Sequence, residues 1–324
     1  MISRLFSKRD DTRIFFATDI HGSETCWRKF LNSGKHYEAK VIVLGGDMTG
    51  KALVPIVAQG KGRWHASLLE NRRDFDGEDE VKEFEDSVRR RGYYPFRTDP
   101  DRMAELESDE KLRDKLFHQE MLGTVERWMR MAEERLEGTG IECFVSPGND
   151  DQFEVDEVIS AAKGVRLAEG EVVEFGEFQM VSTGWANRTP WDTYREEDEK
   201  DLAERLKKMT SRVTAPPERT IYNFHCPPYQ SGLDDAPEIT EDMRPKDAGR
   251  STMPVGSKAV REAIEEGEPT LALHGHIHEA RGNARIGRTL CINPGSSYEQ
   301  GQLLGAVVDL DGGKKVKRFV LTSG

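Results

Sequence analysis

Short apolar runs, each closed by a polar or glycine-rich turn, recur along the chain at residues 14–17, 41–44, 141–145, 178–182, 220–224 and 271–273. Three more follow at residues 289–292, 306–310 and 316–321. They are too short for helices and rich in β-branched and aromatic side chains, so they read as strands. Helical spacing separates the early ones, as at residues 24–31, whereas the late ones follow one another closely as a meander. Three of these runs, at 14–17, 41–44 and 271–273, are apolar throughout rather than alternating, and such strands need cover on both faces. The pattern therefore predicts an α/β fold in which two packed mixed sheets are flanked by helices, a four-layer sandwich.

Charge alters this picture in one place. The chain has 324 residues with 47 Lys+Arg against 59 Asp+Glu, a formal net charge of −12. That balance argues against a general nucleic-acid binder, whose affinity rests on cationic contacts to phosphate. Charged residues reach 33%, above the usual figure of about 25%, and the excess is concentrated between residues 70 and 137. There Phe117, Met121, Val125, Trp128, Ala132 and Leu136 recur every three or four positions, which predicts a helix with one face docked on the body. The preceding part, through Arg89-Arg90-Arg91 and Tyr93-Tyr94-Pro95, reads either as a cap over a site or as a solvated surface. The expectation is a single domain over 1–324 carrying a charged, largely helical insertion at 58–137.

No apolar run approaches the roughly 18 to 20 residues that cross a bilayer, and charges follow Met1 too soon for a secretory signal. Cys26, Cys143, Cys226 and Cys291 form no CxxC pair, so neither a zinc knuckle nor a disulfide framework is expected. A reducing, cytoplasmic setting is the simplest expectation, without a membrane partner and with the oligomeric state open.

The chemistry sits where the predicted strands end. Residues 14–17 are followed by Asp19-Ile20-His21, and residues 41–44 by Gly45-Gly46-Asp47. The 141–145 run leads into Gly148-Asn149-Asp150-Asp151, residues 220–224 into His225-Cys226, and residues 271–273 into His274-Gly275-His276-Ile277-His278. Positions two apart in extended chain face the same way, so Asp19 with His21, and His276 with His278, are expected to point into one site. Loops at one edge of a sheet can converge, and this residue set supplies imidazole, carboxylate and amide oxygen donors. His274 is expected to pack in the core or to support the ligands from behind rather than to coordinate. His36, His65 and His118 match no motif and read as surface groups, Cys226 as a buried small hydrophobe, and Asp151 as a solvated turn residue.

The ordered series Asp-x-His, Gly-Asp, Gly-Asn, His and Gly-His-x-His resembles the calcineurin-like metallophosphoesterase superfamily over residues 19 to 278. The segment from Gly184 to Trp191, with Asn187, Arg188 and Pro190, is more loosely similar to phosphoesterases related to bacterial cyclic-nucleotide phosphodiesterase. Asn293-Pro294-Gly295-Ser296 is similar to the family's closing loop.

The resemblance implies two metal ions, one held by Asp19, His21 and His278, the other by Asn149, His225 and His276, with Asp47 bridging. Such mixed nitrogen and oxygen donors suit transition metals, manganese ahead of iron or zinc. It further implies a hydroxide bridging the ions as nucleophile and hydrolysis of phosphodiester bonds in small or nucleotide-like molecules. Asn187, Arg188 and Trp191 would touch the substrate or merely pin their loop. The superfamily usually has His directly after Gly-Asn, as leaving-group acid; here Asp150 stands there, as a tuned acid or as a group orienting water or ligand. Two alternatives stay open: a non-catalytic scaffold using the insertion as partner surface, and a nuclease drawing on Arg89 to Arg91.

Overall fold

The computed structural model describes residues 11–324 except 70, 241, 243, 313 and 314. Two six-stranded sheets stack face to face. The first runs Lys315–Ser323, Leu304–Asp311, Thr12–Ala17, Val41–Leu44, Glu142–Val145, Arg166–Leu167. The second runs Gly282–Ile286, Thr289–Asn293, Leu271–Leu273, Thr220–Phe224, Phe178–Thr183, Val172–Phe175. Their central strands are parallel, with antiparallel partners added at the edges.

The two-residue period of a strand divides the apolar residues between two cores. Ile14, Phe16, Val41 and Val43 meet Met180, Ile221, Leu271 and Leu273 between the sheets. Phe15, Ala17, Ile42 and Leu44 point the other way, onto the helices Glu24–His36, Glu110–Leu136 and Glu154–Ala161. Val181, Tyr222, Phe224 and Ala272 likewise meet Leu202, Leu206, Val260 and Ile264 of the helices Glu199–Thr210 and Lys258–Gly267. Strands buried on both faces carry few exposed polar residues, which is why 14–17, 41–44 and 271–273 were legible as unbroken apolar runs.

The apolar stripe of Glu110–Leu136 docks as its spacing predicts. Met121, Val125, Trp128, Ala132 and Leu136 are buried, and the Trp128 ring stacks on Trp27 at 5.1 Å with planes 6° apart. Trp27 Nε1 also donates to Trp128 O at 3.2 Å. No helix of the described residues is long and apolar enough to cross a membrane.

The insertion is largely helical as expected, through Glu78–Arg90, Pro100–Ser108 and Glu110–Leu136, but its earlier part also holds strands that the sequence reading did not anticipate. A four-stranded sheet, ordered Asn71–Asp76, Arg63–Leu68, Leu53–Gly60, Tyr94–Thr98, precedes the long helix. The strand through position 58 already begins at Leu53. Helix Glu78–Arg90 covers one face, and Val54, Ile56, Ala66, Phe75, Val81, Phe84 and Val88 form a separate small core. The outer strands escaped notice because they bury little. Of Asn71–Asp76 only Phe75 is buried, so its sequence reads as charge.

Candidate metal centre

The parallel strands of both sheets deliver their carboxyl ends to one edge, where loops from different strands meet. Asp19 and His21 follow Thr12–Ala17, Asp47 follows Val41–Leu44, Asn149 follows Glu142–Val145, His225 follows Thr220–Phe224, and His276 and His278 follow Leu271–Leu273. Six of the seven side chains gather in two close groups, and Asn149 lines the same cavity. Ligand atoms of Asp19, His21 and His278 lie within 4.8 Å of one another, as do those of Asp47, His225 and His276.

The convergence does not come from strand alternation. Asp19 (φ 52°), His21 (φ 36°), Asp47 (φ 47°) and His276 (φ 68°) all have left-handed backbone. For such residues this costs roughly 1–3 kcal/mol each, and the strain clusters where side chains must be aimed from tight turns. The loops approach so closely that a Cβ at Gly46 would overlap the His225 ring, and one at Gly148 would strike Asp47. Glycine leaves room for the ligands of the neighbouring loop.

Backbone groups set the orientations. The Asp19 carboxylate accepts from His276 N, 3.1 Å to each oxygen, and Asp150 N donates to Asp47 Oδ1 at 3.0 Å. His225 turns Nδ1 to Gly45 O at 3.0 Å, leaving Nε2 for the centre, the arrangement by which an outer partner fixes an imidazole for ligation. Asn149 donates through Nδ2 to Thr193 Oγ1 at 2.8 Å, leaving its Oδ1 inward. Buried Asn149 Oδ1 and His225 Nε2 have no hydrogen-bond partner. His21 Nε2 and His278 Nε2 face each other at 3.0 Å. Asp47 Oδ2 lies 3.6 Å from His21 Nε2 and 3.4 Å from His225 Nε2, between the two groups. Asp19 Oδ1 has a similar position, 3.4 Å from His278 Nε2 and 3.8 Å from His225 Nε2.

Buried groups without partners are costly in a folded protein. Unpartnered acceptors facing carboxylates over such short distances are what one or two bound cations would satisfy, so the donor set fits the implied metals. The electrostatics divide the imidazoles. Burial pushes His21 down to about 3 and His276 to about 4, keeping those rings neutral and able to ligate. Burial also opposes ionisation of Asp19, but the charges of His225 and His278 prevail and hold it at about 2. His225 reaches about 9 because Asp47 and Asp19 outweigh its burial.

Asp150 sits at the rim. Its Oδ2 lies 3.3 Å from Lys51 Nζ and 4.0 Å from His21 Nδ1. Burial and then the Asp47 charge raise it to about 6, against the pull of Lys51. Asp151 corrects the sequence reading: it is wholly buried rather than solvated. Its carboxylate accepts from Gly148 N, Met48 N, Thr49 N and Thr49 Oγ1 at 2.6–3.0 Å, tying the Asn149 loop to the Asp47 loop. His274 is buried with Nδ1 at 2.8 Å from Phe224 O, the core role expected of it. His118 is half-buried beside Gln152 rather than a free surface group.

The remaining candidates line a cavity of about 1310 Å³ that opens from the centre. Asn187 is engaged within the protein, donating to Val255 O at 3.2 Å and accepting from Cys226 Sγ at 3.0 Å. Arg188 pairs with Asp192 and Asp198, each at 3.3 Å, and Trp191 is 65% exposed at the mouth. Sequence reasoning overlooked Lys51 and Tyr298, whose ring lies 4.9 Å from that of His21. Lys51 stands four residues after Asp47 and was within reach of a motif search; Tyr298, twenty residues past His278, carried no local signal.

No family model matches the chain. Over 156 residues, 48% of its length, it is 28% identical to the uncharacterised protein MJ1162 of Methanocaldococcus jannaschii, and the match spans 64% of that protein. One solved crystal structure superposes with a TM-score of 0.56 at 17% identity, covering 97% of this chain and 99% of the other. The crystal structure of TT1561 of Thermus thermophilus gives a TM-score of 0.50 at 13% identity, covering 97% and 99%. These likenesses concern the fold.

Proposed function

We propose that this chain, which has the fold of the calcineurin-like metallophosphoesterases, is a metal-dependent phosphoesterase acting on small phosphodiesters. The observation that carries the reading is the convergence of six potential ligands, with the unpartnered Asn149 Oδ1 on the same cavity, which is large enough for substrate. Asp19, His21 and His278 would hold one ion and Asn149, His225 and His276 the other, with Asp47 shared. Manganese is the first candidate to test, then iron or zinc; the mix of imidazole nitrogen with oxygen suits a transition metal better than calcium or an all-oxygen magnesium site. Bound there, two such ions neutralise phosphate charge and supply an activated water.

The chain's own groups do the rest. Four ligands on left-handed turns are held before any substrate arrives, so little reorganisation is needed at the moment of reaction. Lys51, half-exposed and steered by Asp150, offers a cation to phosphate oxygen at the cavity floor. Asp150 faces the same space beside Asp47, where it can orient a departing oxygen or give it a proton. The diester preference rests on the fold resemblance. A complete set of potential ligands weighs against a scaffold that has abandoned catalysis, and the net charge of −12 weighs against a nuclease.

The test uses chelator-stripped protein reloaded with manganese, iron, zinc or magnesium and assayed on bis(4-nitrophenyl) phosphate beside 4-nitrophenyl phosphate. Metal-restored diester cleavage is expected. Asp47→Ala should lose turnover and lower the bound metal measured by elemental analysis; an active, fully loaded variant overturns the bridging role.

A further inference from the structure

The cavity is far larger than a phosphate needs and also exceeds the roughly 300–1,000 Å³ of ordinary small-molecule pockets. Its walls come from three separate parts of the chain. The insertion contributes Leu53 and Phe117, the loop after Thr183 contributes Trp191 and Tyr194, and the segment before helix Lys258–Gly267 contributes Ile239 and Met253. Among the described residues six large hydrophobics are exposed. Three of them, Trp191 at 65%, Tyr194 at 47% and Met253 at 45%, lie on this one cavity. Scattered exposed hydrophobics are ordinary; a group bordering a site marks a binding surface.

Around Trp191 and Tyr194 the polar side chains are already engaged inside the protein, while Asp114, Lys258 and Glu279 carry charge elsewhere on the lining. Gln152 Nε2 donates to Tyr194 Oη at 2.8 Å, and its Oε1 lies 2.6 Å from His118 Nδ1. The hydroxyls of Thr189 and Thr193 both donate to Glu196 Oε1, at 2.6 and 2.5 Å. Asn187 uses both ends of its amide on Val255 and Cys226, and Arg188 is held by two aspartates. A sugar or base entering here would give up hydrogen bonds to water and find these partners taken, at a cost. A hydrocarbon would give up nothing polar and would cover the exposed rings and thioether.

We infer that the substrate is a phosphoester with a large apolar body, a hydrocarbon chain rather than a nucleoside, lying along this wall while its phosphate meets Lys51 and the candidate metal centre. This rests on the phosphoesterase reading for the phosphate end only. Continuity of the apolar wall with that centre is what fixes the occupant as the ester group of a substrate.

The test holds the leaving group constant. Manganese-reloaded protein is assayed with methyl, butyl and octyl 4-nitrophenyl phosphate and with thymidine 5′-(4-nitrophenyl phosphate). A fully buried methylene is worth about fourfold and a half-buried one about twofold. Seven added methylenes should therefore raise kcat/KM on the order of 100-fold from methyl to octyl. Binding of octylphosphonate and methylphosphonate, measured by calorimetry on the same protein, should differ in the same sense, with a negative heat-capacity change. Met253→Asp should shrink the octyl-to-methyl ratio at least tenfold in both measurements, and Met253→Leu should keep it.

A flat chain-length series, or preference for the thymidine ester over the octyl ester, overturns the inference while leaving the phosphoesterase reading intact. Chain-length-dependent phosphonate binding that Met253→Asp removes, without hydrolysis of any ester, sustains the apolar site and overturns the phosphoesterase reading. Turnover and binding that are both insensitive to Met253→Asp refute this wall as the hydrocarbon site.

Discussion

Replacing Asp151 by alanine should be among the most damaging single changes near the centre, although the residue touches none of the seven candidate ligands through its side chain. Its carboxylate is wholly buried and accepts four hydrogen bonds, three from the amides of Met48, Thr49 and Gly148 and one from the Thr49 hydroxyl. The hydroxyl can rotate to another partner; the three amides cannot. A buried donor left unsatisfied costs about 1–3 kcal/mol, and water admitted to the vacated space recovers part of that, so the expected loss is about 3–5 kcal/mol.

Asparagine makes the comparison sharper. Its amide can face Thr49, where the hydroxyl accepts, leaving only Thr49 N without an acceptor. Burial and the nearby Asp47 raise the Asp151 pKa, so removing the charge returns part of the loss. The expected cost is about 1–2 kcal/mol. Urea denaturation of the metal-free proteins reads this directly, as midpoints at constant slope in the order parent, Asp151→Asn, Asp151→Ala. An alanine variant within about 1 kcal/mol of the parent, or an asparagine variant worse than alanine, refutes the view that this carboxylate clamps the two loops.

Two further outcomes follow from the same geometry. Gly46→Ala places a methyl against the His225 ring at a position with φ 138°, so it should lower metal content and phosphodiester turnover together; normal metal loading by elemental analysis would show that the loop yields. Asp150→Asn should slow alkyl esters with poor leaving groups at least tenfold more than 4-nitrophenyl esters, measured as kcat on matched diesters; equal losses would leave Asp150 an orienting role and deny it the proton.

The parts of the fold that could be read from the chain are those whose burial is two-sided. Runs such as Val41–Leu44 and Leu271–Leu273 have no polar position because both faces lie in a core. The stripe from Phe117 to Leu136 was legible because one helix face packs continuously on the body. The sheet within the insertion was not, since a strand such as Asn71–Asp76 buries one residue and displays five. Period-two alternation also gave a mistaken reason for a true convergence. Asp19, His21 and His276 meet the centre from left-handed backbone, and the modest preference of aspartate and histidine for that region does not mark which positions adopt it.

Local sequence therefore determined the strand-end motifs, their order and the donor types available, because short-range pattern and residue chemistry are properties of the chain itself. Tertiary structure decided what depends on contacts between segments far apart in sequence. It made Asp151 a buried clamp instead of a solvated turn, since its four donors come from loops about a hundred residues apart. It turned Asn187 and Gln152 inward and left Trp191 and Met253 facing the cavity. Hydrogen-bond capacity can be committed only once, and which partner claims it is settled when the loops pack.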